Sequence, residues 1–246
     1  MGFIEYLKKL IYLPVHLAIL VIYLIVALFP LILLLSFYGI AFYVGLGLSG
    51  FQTMVIIFLS LIGSTINIPV AVLEQHMPII TEKYIRYMGI MIRIPTIDFV
   101  GTRTILAVNL GGCIIPTTLS LYLLFKILTT TGVLPFFTVL IATGVNAIII
   151  NQFAKPIKGV GIATPWFVPP LVTSIITIFF AQLIGGINIF AFAYITGTLG
   201  TLIGADLMNL KEIANLGTPA ASIGGAGTFD EIFLTGVMSI FLLMMF

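Results

Sequence analysis

Long apolar runs separated by short polar stretches dominate the chain. No Lys, Arg, Asp or Glu lies between Lys9 and Glu74, and comparable runs recur along the rest of the sequence. About 20 apolar residues in a helix cross a hydrocarbon core of about 30 Å. The pattern therefore predicts about seven membrane-spanning helices, within residues 13–46, 52–72, 104–127, 134–152, 165–183, 187–207 and 229–246.

The first of these runs leaves the number of spans open. It is too long for one straight span, and Pro30 lies in its middle, so residues 1–50 form either one long or kinked span or two spans, which makes eight. Short loops rich in Lys and Arg stay in the cytoplasm. Seven spans with a cytoplasmic N-terminus leave only Lys126 outside and are favoured, because nine basic residues are then inside: Lys8, Lys9, Lys83, Arg86, Arg93, Arg103, Lys155, Lys158 and Lys211.

The overall composition agrees with a lipid environment. Of 246 residues, 61% are hydrophobic and 7% are charged, whereas about a quarter of the residues in a soluble domain are charged. We therefore predict an all-α polytopic protein of the cell membrane, with one transmembrane domain over residues 1–246 and the lipid bilayer as its partner. The net charge of +2 and the lack of a basic patch interleaved with aromatic residues argue against a nucleic-acid partner.

The longest polar segment covers residues 73–103. Basic residues are mixed there with Ile, Met and Tyr in EQHMPIITEKYIRYMGIMIRIPTIDFVGTR. Such a mixture is typical of an amphipathic segment that lies on the inner leaflet. A solvated cytoplasmic loop is the alternative.

Two short blocks recur in the same order, which indicates an internal duplication. SLIGSTINI, residues 60–68, resembles TLIGADLMNL, residues 201–210, and AVNLGG, residues 107–112, resembles AASIGG, residues 220–225. Four predicted spans separate the copies, so a real duplication is a parallel repeat about an axis along the membrane normal. The alternative is chance, since these residue types are common in membrane helices.

Two aspartates are the leading candidates for chemistry. Asp206 ends one predicted span and Asp230 begins the next, so both fall at the cytoplasmic edge of the bilayer, where buried carboxylates are costly and often functional. Glycines let a backbone turn or approach a ligand. We therefore expect a wall of the site from Asn109, Gly111, Gly112, Gly224, Gly225 and Gly227. Helix capping by the carboxylates and close helix packing at the glycines are the alternatives.

Several blocks give the chain a family resemblance. NIP (67–69), AVNLGG, KPIKGVGIATP, TLIGADLMNL and SIGGAGTFDEIFLTG occur in this order. They resemble the bacterial and archaeal membrane family catalogued as domain of unknown function 1614. This resemblance implies a polytopic membrane protein and brings no established activity.

The chain is also similar, more weakly, to membrane aspartyl peptidases of the presenilin and prepilin-peptidase type. These use one aspartate on a membrane helix and a second in a Gly-x-Gly-Asp motif, roles that the similarity gives to Asp206 and to Asp230 in GAGTFD. Thr228 and Phe229 separate the second glycine from the aspartate, which departs from the motif.

Three functions remain open from the sequence. The first is a diaspartyl peptidase acting on a membrane polypeptide, the second is a proton- or cation-coupled transporter or channel for a small solute, and the third is a non-catalytic membrane assembly protein. No metal-ligand spacing and no cofactor motif occurs, so we expect neither a metal nor a cofactor.

Overall fold

The computed structural model describes residues 17–87, 90–157, 161–215 and 218–245. These residues are mainly helical, as the apolar runs predict. Three helical segments within them are long and apolar enough to cross a membrane, namely Leu110–Thr130, Val133–Phe153 and Ile189–Ile213. The chain is thus a membrane protein, whereas the count of seven spans and the cytoplasmic N-terminus remain predictions.

The helices divide into long apolar ones and one short helix, α7. Their bounds are α1 Leu17–Ile40, α2 Gly50–Gly63, α3 Ile115–Thr130, α4 Val133–Phe153, α5 Val168–Ile184, α6 Ile189–Thr201, α7 Leu210–Asn215 and α8 Glu231–Met244. Proline lies in the first turn of α3 and of α5, where its missing N–H breaks no helical hydrogen bond.

The described part of the first apolar run is one continuous helix. Helix α1 passes through Pro30 and continues as a π-helical turn over Ala41–Gly45. The chain does not reverse direction at the proline, in agreement with one long first span. The start of that predicted span, residues 1–16, lies outside the described residues.

Helix α6 lies at the centre of the helical bundle. Every residue from Ala191 to Thr201 is buried, because α3, α4, α5 and α8 all pack against this helix. The Asn146 side chain of α4 donates hydrogen bonds of 2.9 Å to the Thr173 hydroxyl of α5 and to the Thr196 carbonyl of α6. Polar contacts of this kind join helices inside membranes, so they fix the middle of α6 against α4 and α5.

Two segments, residues 67–87 and 90–109, correct the all-α prediction. They form a long antiparallel hairpin of β1, Asn67–Tyr87, and β2, Ile90–Asn109, with register from Asn67 opposite Asn109 to Tyr87 opposite Ile90. Opposite charges face each other across the strands, and Arg103 Nε lies 2.9 Å from Glu74 Oε1. The predicted amphipathic segment, residues 73–103, falls in this hairpin. Its contact with the inner leaflet remains a prediction.

A third strand joins the base of the hairpin to the C-terminal part of the chain. Strand β5, Ala220–Ile223, pairs in parallel with β2, with Ala107 opposite Ser222 and Val108 opposite Ile223. The two blocks of the proposed duplication, AVNLGG and AASIGG, therefore lie side by side and point the same way. Superposition of the helix pairs that flank them remains a prediction. A second, two-stranded sheet consists of β3, Lys155–Ile157, and β4, Gly161–Ala163.

Candidate active site

A polar cavity of about 350 Å³ lies where α6 ends and α8 begins. Three carboxylic side chains, Asp206, Asp230 and Glu231, reach its wall. Strand β4, helix α7 and strand β5 supply most of the remaining wall. The other described lining residues are Gly161, Ile162, Ile213, Thr218, Ala220, Ala221, Ser222, Gly224, Gly225 and Ala226.

A π-helical turn brings Asp206 to the cavity. After Thr201 the chain forms a π turn over Leu202–Asp206. The Asn151 side chain of α4 donates to the Gly204 carbonyl at 2.9 Å, and the Asn209 side chain donates to the Ala205 carbonyl at 2.8 Å. A Cβ on Gly204 would collide with the backbone of α4 at Ala147. Close packing and two asparagine amides thus fix the turn that carries Asp206.

Asp230 occupies the N-cap position of α8. Its Oδ1 accepts a hydrogen bond from the Ile232 amide at 3.1 Å, and its Oδ2 accepts one from the Ala226 amide at 3.2 Å. The loop before it is also held by α1, since the Tyr38 hydroxyl donates to the Thr228 carbonyl at 2.7 Å. The orientation of the Asp230 carboxylate is therefore set by the backbone.

The three carboxylic side chains Asp206, Asp230 and Glu231 border one cavity. No lysine or arginine is among the described residues of the cavity wall. The two ion pairs between described residues, Arg93 with Glu82 and Arg103 with Glu74, belong to the hairpin. No hydrogen bond joins the Asp206 carboxylate to a described residue. All three carboxylates are half-buried, and carboxylates withdrawn from water without counter-charges are energetically costly, which is typical of a site kept for function rather than stability.

The predicted glycines separate into two groups. Gly224, with a φ of 72°, and Gly225 border the cavity. By contrast, Gly111, Gly112 and Gly227 serve close packing. A Cβ on Gly111 would collide with the Ser60 carbonyl of α2, one on Gly112 with the Gly224 carbonyl, and one on Gly227 with Ser64.

Asn109 also lies outside the cavity wall. It is completely buried, and its side chain accepts from the Gly112 amide at 2.8 Å and donates to the Ser64 carbonyl at 2.9 Å. A third bond of 3.0 Å runs from Asn109 to Asn67 Oδ1. These contacts use its amide to join α2, β1 and the turn before α3. It supports the site at a distance through this turn.

Sequence reasoning did not identify several residues that border the cavity. Gly161 and Ile162 come from β4, in the block KPIKGVGIATP, and Thr218 and Ser222 come from the segment around β5. The small and polar residues between Asp206 and Asp230 could have indicated part of this wall, because a segment that joins two neighbouring aspartates must pass close to both. Among the described residues, no group of three or more His, Cys, Asp or Glu side chains is arranged to hold a metal ion.

Comparison with known proteins identifies a family. No curated protein and no solved structure matches the chain. A family model does match, over residues 61–242. That range includes both aspartates, the hairpin and all the cavity-lining residues named above. The chain therefore belongs to the family described as "Protein of unknown function (DUF1614)".

Proposed function

We propose that this protein is a membrane-embedded peptidase in which Asp206 and Asp230 activate water against a peptide bond. The observation that carries this proposal is that both aspartates, held by different elements, border one cavity. Two carboxyl groups that flank one water molecule and hold one proton between them supply a base and an acid at the same point. The weaker similarity of GAGTFD to the Gly-x-Gly-Asp motif is in agreement with this pairing.

The chemistry needs only the two carboxyl groups and one water molecule. The ionised carboxylate removes a proton from water while the water oxygen forms a bond to the peptide carbonyl carbon. The protonated carboxyl group gives its proton to the carbonyl oxygen. When the C–N bond breaks, the nitrogen takes the proton from the carboxyl group that deprotonated water. A hydroxyl of the tetrahedral intermediate returns its proton to the other carboxylate as the carbonyl forms again, which yields one carboxylic acid and one amine. The proton-sharing pair is thereby restored.

The surroundings favour different roles for the two aspartates. Both oxygens of Asp230 accept backbone amide hydrogen bonds, and such bonds stabilise the charged form. The Asp206 carboxyl group has no such partner among the described residues. We assign the resting ionised state to Asp230 and the shared proton to Asp206.

An extended polypeptide fits the site better than a compact solute does. Ala220, Ala221 and Ser222 of β5 border the cavity. In the order β1-β2-β5, β5 is the last strand of its sheet among the described residues. A strand with one unpaired side can bind an extended peptide through main-chain hydrogen bonds. The carboxylate pair then lies beside the bound peptide backbone.

The test uses proteoliposomes that contain the full chain and a reporter peptide with one membrane span. The reporter carries a fluorophore and a quencher on either side of the segment that follows the span at the inner leaflet, so that cleavage there raises the fluorescence. Asp206→Asn and Asp230→Asn should each lower the cleavage rate by roughly 10²- to 10⁴-fold, the usual contribution of a general acid or base. Glu74→Gln is the matched control, because Glu74 is an exposed carboxylate of β1 that pairs with Arg103 and is not among the residues of the cavity wall.

The thermal midpoint of every variant should stay near that of the wild type, because Asn retains the shape of Asp. Cleavage by Asp206→Asn at the wild-type rate would refute the proposal. Wild-type protein that cleaves no reporter, and whose variants differ from it in folded yield alone, would favour the assembly role.

A cation-coupled transporter is the second candidate, and a separate observation favours it. Several buried polar atoms in the bundle have no hydrogen-bond partner, among them Asn146 Oδ1 and the hydroxyls of Thr177, Thr196 and Thr201. Oxygen atoms of this kind bind cations or water inside membrane proteins. Cation-driven uptake into vesicles that persists in Asp230→Asn, together with a lack of cleavage, would support this alternative.

A further inference from the structure

A small pocket of about 140 Å³ lies beside the carboxylate cavity. Glu231 borders both spaces, so the pocket begins one residue from Asp230. The remaining wall joins the chain before α5 to the first turns of α8. It consists of Ala163, Thr164, Trp166, Phe229, Leu234 and Thr235.

Two polar atoms of this wall lack partners. Glu231 Oε1 and Thr164 Oγ1 are both inaccessible to solvent and form no hydrogen bond. A buried polar atom without a partner costs free energy, and a carboxylate oxygen costs more than a hydroxyl. The described wall contains no Lys, Arg or His. A ligand that donates hydrogen bonds and carries positive charge would satisfy both atoms once the Glu231 and Thr164 side chains turn towards the pocket.

Apart from Thr235, the rest of the wall is apolar and aromatic. Trp166 is 73% exposed and Phe229 is 62% exposed, so these rings form the rim, whereas Leu234 and Ala163 lie along the wall. Aromatic faces attract cations, and apolar walls accommodate an alkyl chain. A group of one water's size occupies roughly 30 Å³ in a liquid, so the pocket accommodates an alkylammonium group of about five heavy atoms.

We propose that this pocket binds the ammonium group of a lysine side chain in the substrate, and this rests on the proposed peptidase function. Glu231 binds the charge, Thr164 accepts one of its N–H bonds, and Trp166 and Phe229 cover the alkyl stem. Because Glu231 directly follows Asp230, the pocket selects a lysine within one or two residues of the cleaved bond. Glu231 is thus a specificity-determining residue.

The pocket has a built-in reporter, because Trp166 is the only tryptophan of the chain. Purified protein at about pH 8.5, where an alkylammonium is still protonated, is titrated with n-butylammonium and, separately, with n-butanol while Trp166 fluorescence is recorded. We expect n-butylammonium to bind about tenfold more tightly than n-butanol, as one charge-assisted contact provides. Equal responses to the two probes, or no response to either, would overturn the proposal.

Two variants assign the effect to Glu231. Glu231→Gln should remove the preference for the ammonium probe, whereas Glu212→Gln, an exposed carboxylate on α7 that borders neither space, should retain it. If Glu231→Gln fails to fold, Thr164→Val should still weaken n-butylammonium binding and leave n-butanol binding unchanged. A preference that survives in folded Glu231→Gln contradicts the assignment.

Two further experiments are needed. The first tests ammonium binding independently of peptide cleavage, and the second distinguishes a lysine side chain from the ammonium group of a lipid headgroup. Asp206→Asn should bind n-butylammonium like the wild type, so a failure of cleavage leaves the binding result intact. A lysine-containing hexapeptide should cause the Glu231-dependent response, and its norleucine counterpart should not. If glycerophosphoethanolamine causes this response and the lysine peptide does not, the pocket binds lipid headgroups and the proposal is wrong.

Discussion

The two Gly-Gly turns of this protein have similar sequences and different surroundings. Each follows a strand of the same sheet and leads towards a helix, the first through Gly111 and Gly112 to α3, the second through Gly224 and Gly225 to α8. The first turn is buried on all sides. The second borders the cavity with Asp230. The same pair of residues thus supports packing in one place and a site in the other.

Contact between the turns explains this difference. A Cβ on Gly112 would collide with the carbonyls of Gly224 and Gly227. The backbone of the first turn therefore packs directly against the backbone of the second. Carboxylates follow only the second turn, as Asp230 and Glu231, and both border the cavity. The comparison teaches that two turns of similar sequence differ here in what they contact: the first packs against backbone, whereas the second leads to Asp230 at a cavity.

Gly112→Ala tests the support role and should have the largest effect. The added methyl group meets two backbone carbonyls rather than movable side chains, and overpacking of this kind costs about 1–3 kcal/mol or more. We expect a clear fall in the thermal midpoint and in the folded yield after purification. The control is Gly144→Ala in α4, where no atom lies within 4 Å of the new Cβ and where helix propensity predicts a gain of up to about 1 kcal/mol. A wild-type midpoint for Gly112→Ala would contradict the support role.

Asn109→Ala examines the hydrogen bonds that hold the first turn and should have an intermediate effect. Removal of the side chain leaves the Gly112 amide and the Ser64 carbonyl without this partner. Groups left unpaired in this way cost about 1–3 kcal/mol. Chemical unfolding in mild detergent measures the loss, with the exposed Gln152→Ala as control. Equal stability of the two variants would show that water replaces the Asn109 amide.

Asp230→Ala and Asp230→Asn address the second turn and should have the smallest effects on stability. The Ala variant loses the N-cap of α8, at a cost of about 0.5–2 kcal/mol, while Asn is as good an N-cap as Asp. We therefore expect a lower thermal midpoint for the Ala variant alone. An equal fall in both variants would mean that the charge of Asp230, rather than its cap, stabilises the start of α8.

The sequence was informative where one local property decides the structure. Residues 134–152 were predicted as a span and form most of α4, because an apolar run without charges has few alternatives to a helix in lipid. Asp206 and Asp230 were recognisable as candidates because carboxylates beside such runs are rare. Their presence on one cavity agrees with the hypothesis that they act together, which the variants above test.

Other features depend on contacts between distant segments. The hairpin was not predicted, because the charged residues of segment 73–103 were interpreted as the polar face of an amphipathic segment. Ile92, Arg93 and Ile94 nevertheless show the alternation of apolar and polar residues, with a period of two, that is typical of strands. The π turn before Asp206 depends on Asn151 and on the packing of Gly204 against Ala147, which no local pattern records. The small pocket beside the carboxylate cavity brings together Thr164, which directly precedes one apolar run, and Glu231, which lies in another.

The parallel pairing of β2 with β5 has a consequence for the biosynthesis of the protein. The Thr104 hydroxyl bonds the Thr218 carbonyl across 114 positions of sequence, and Tyr38 reaches Thr228 across 190. At ribosomal speeds of about 5–20 residues per second, the early helices wait on the order of ten seconds for these partners. Until then a growing chain has Asp206 without Asp230, so its carboxylate pair is completed only when the last part of the protein is made.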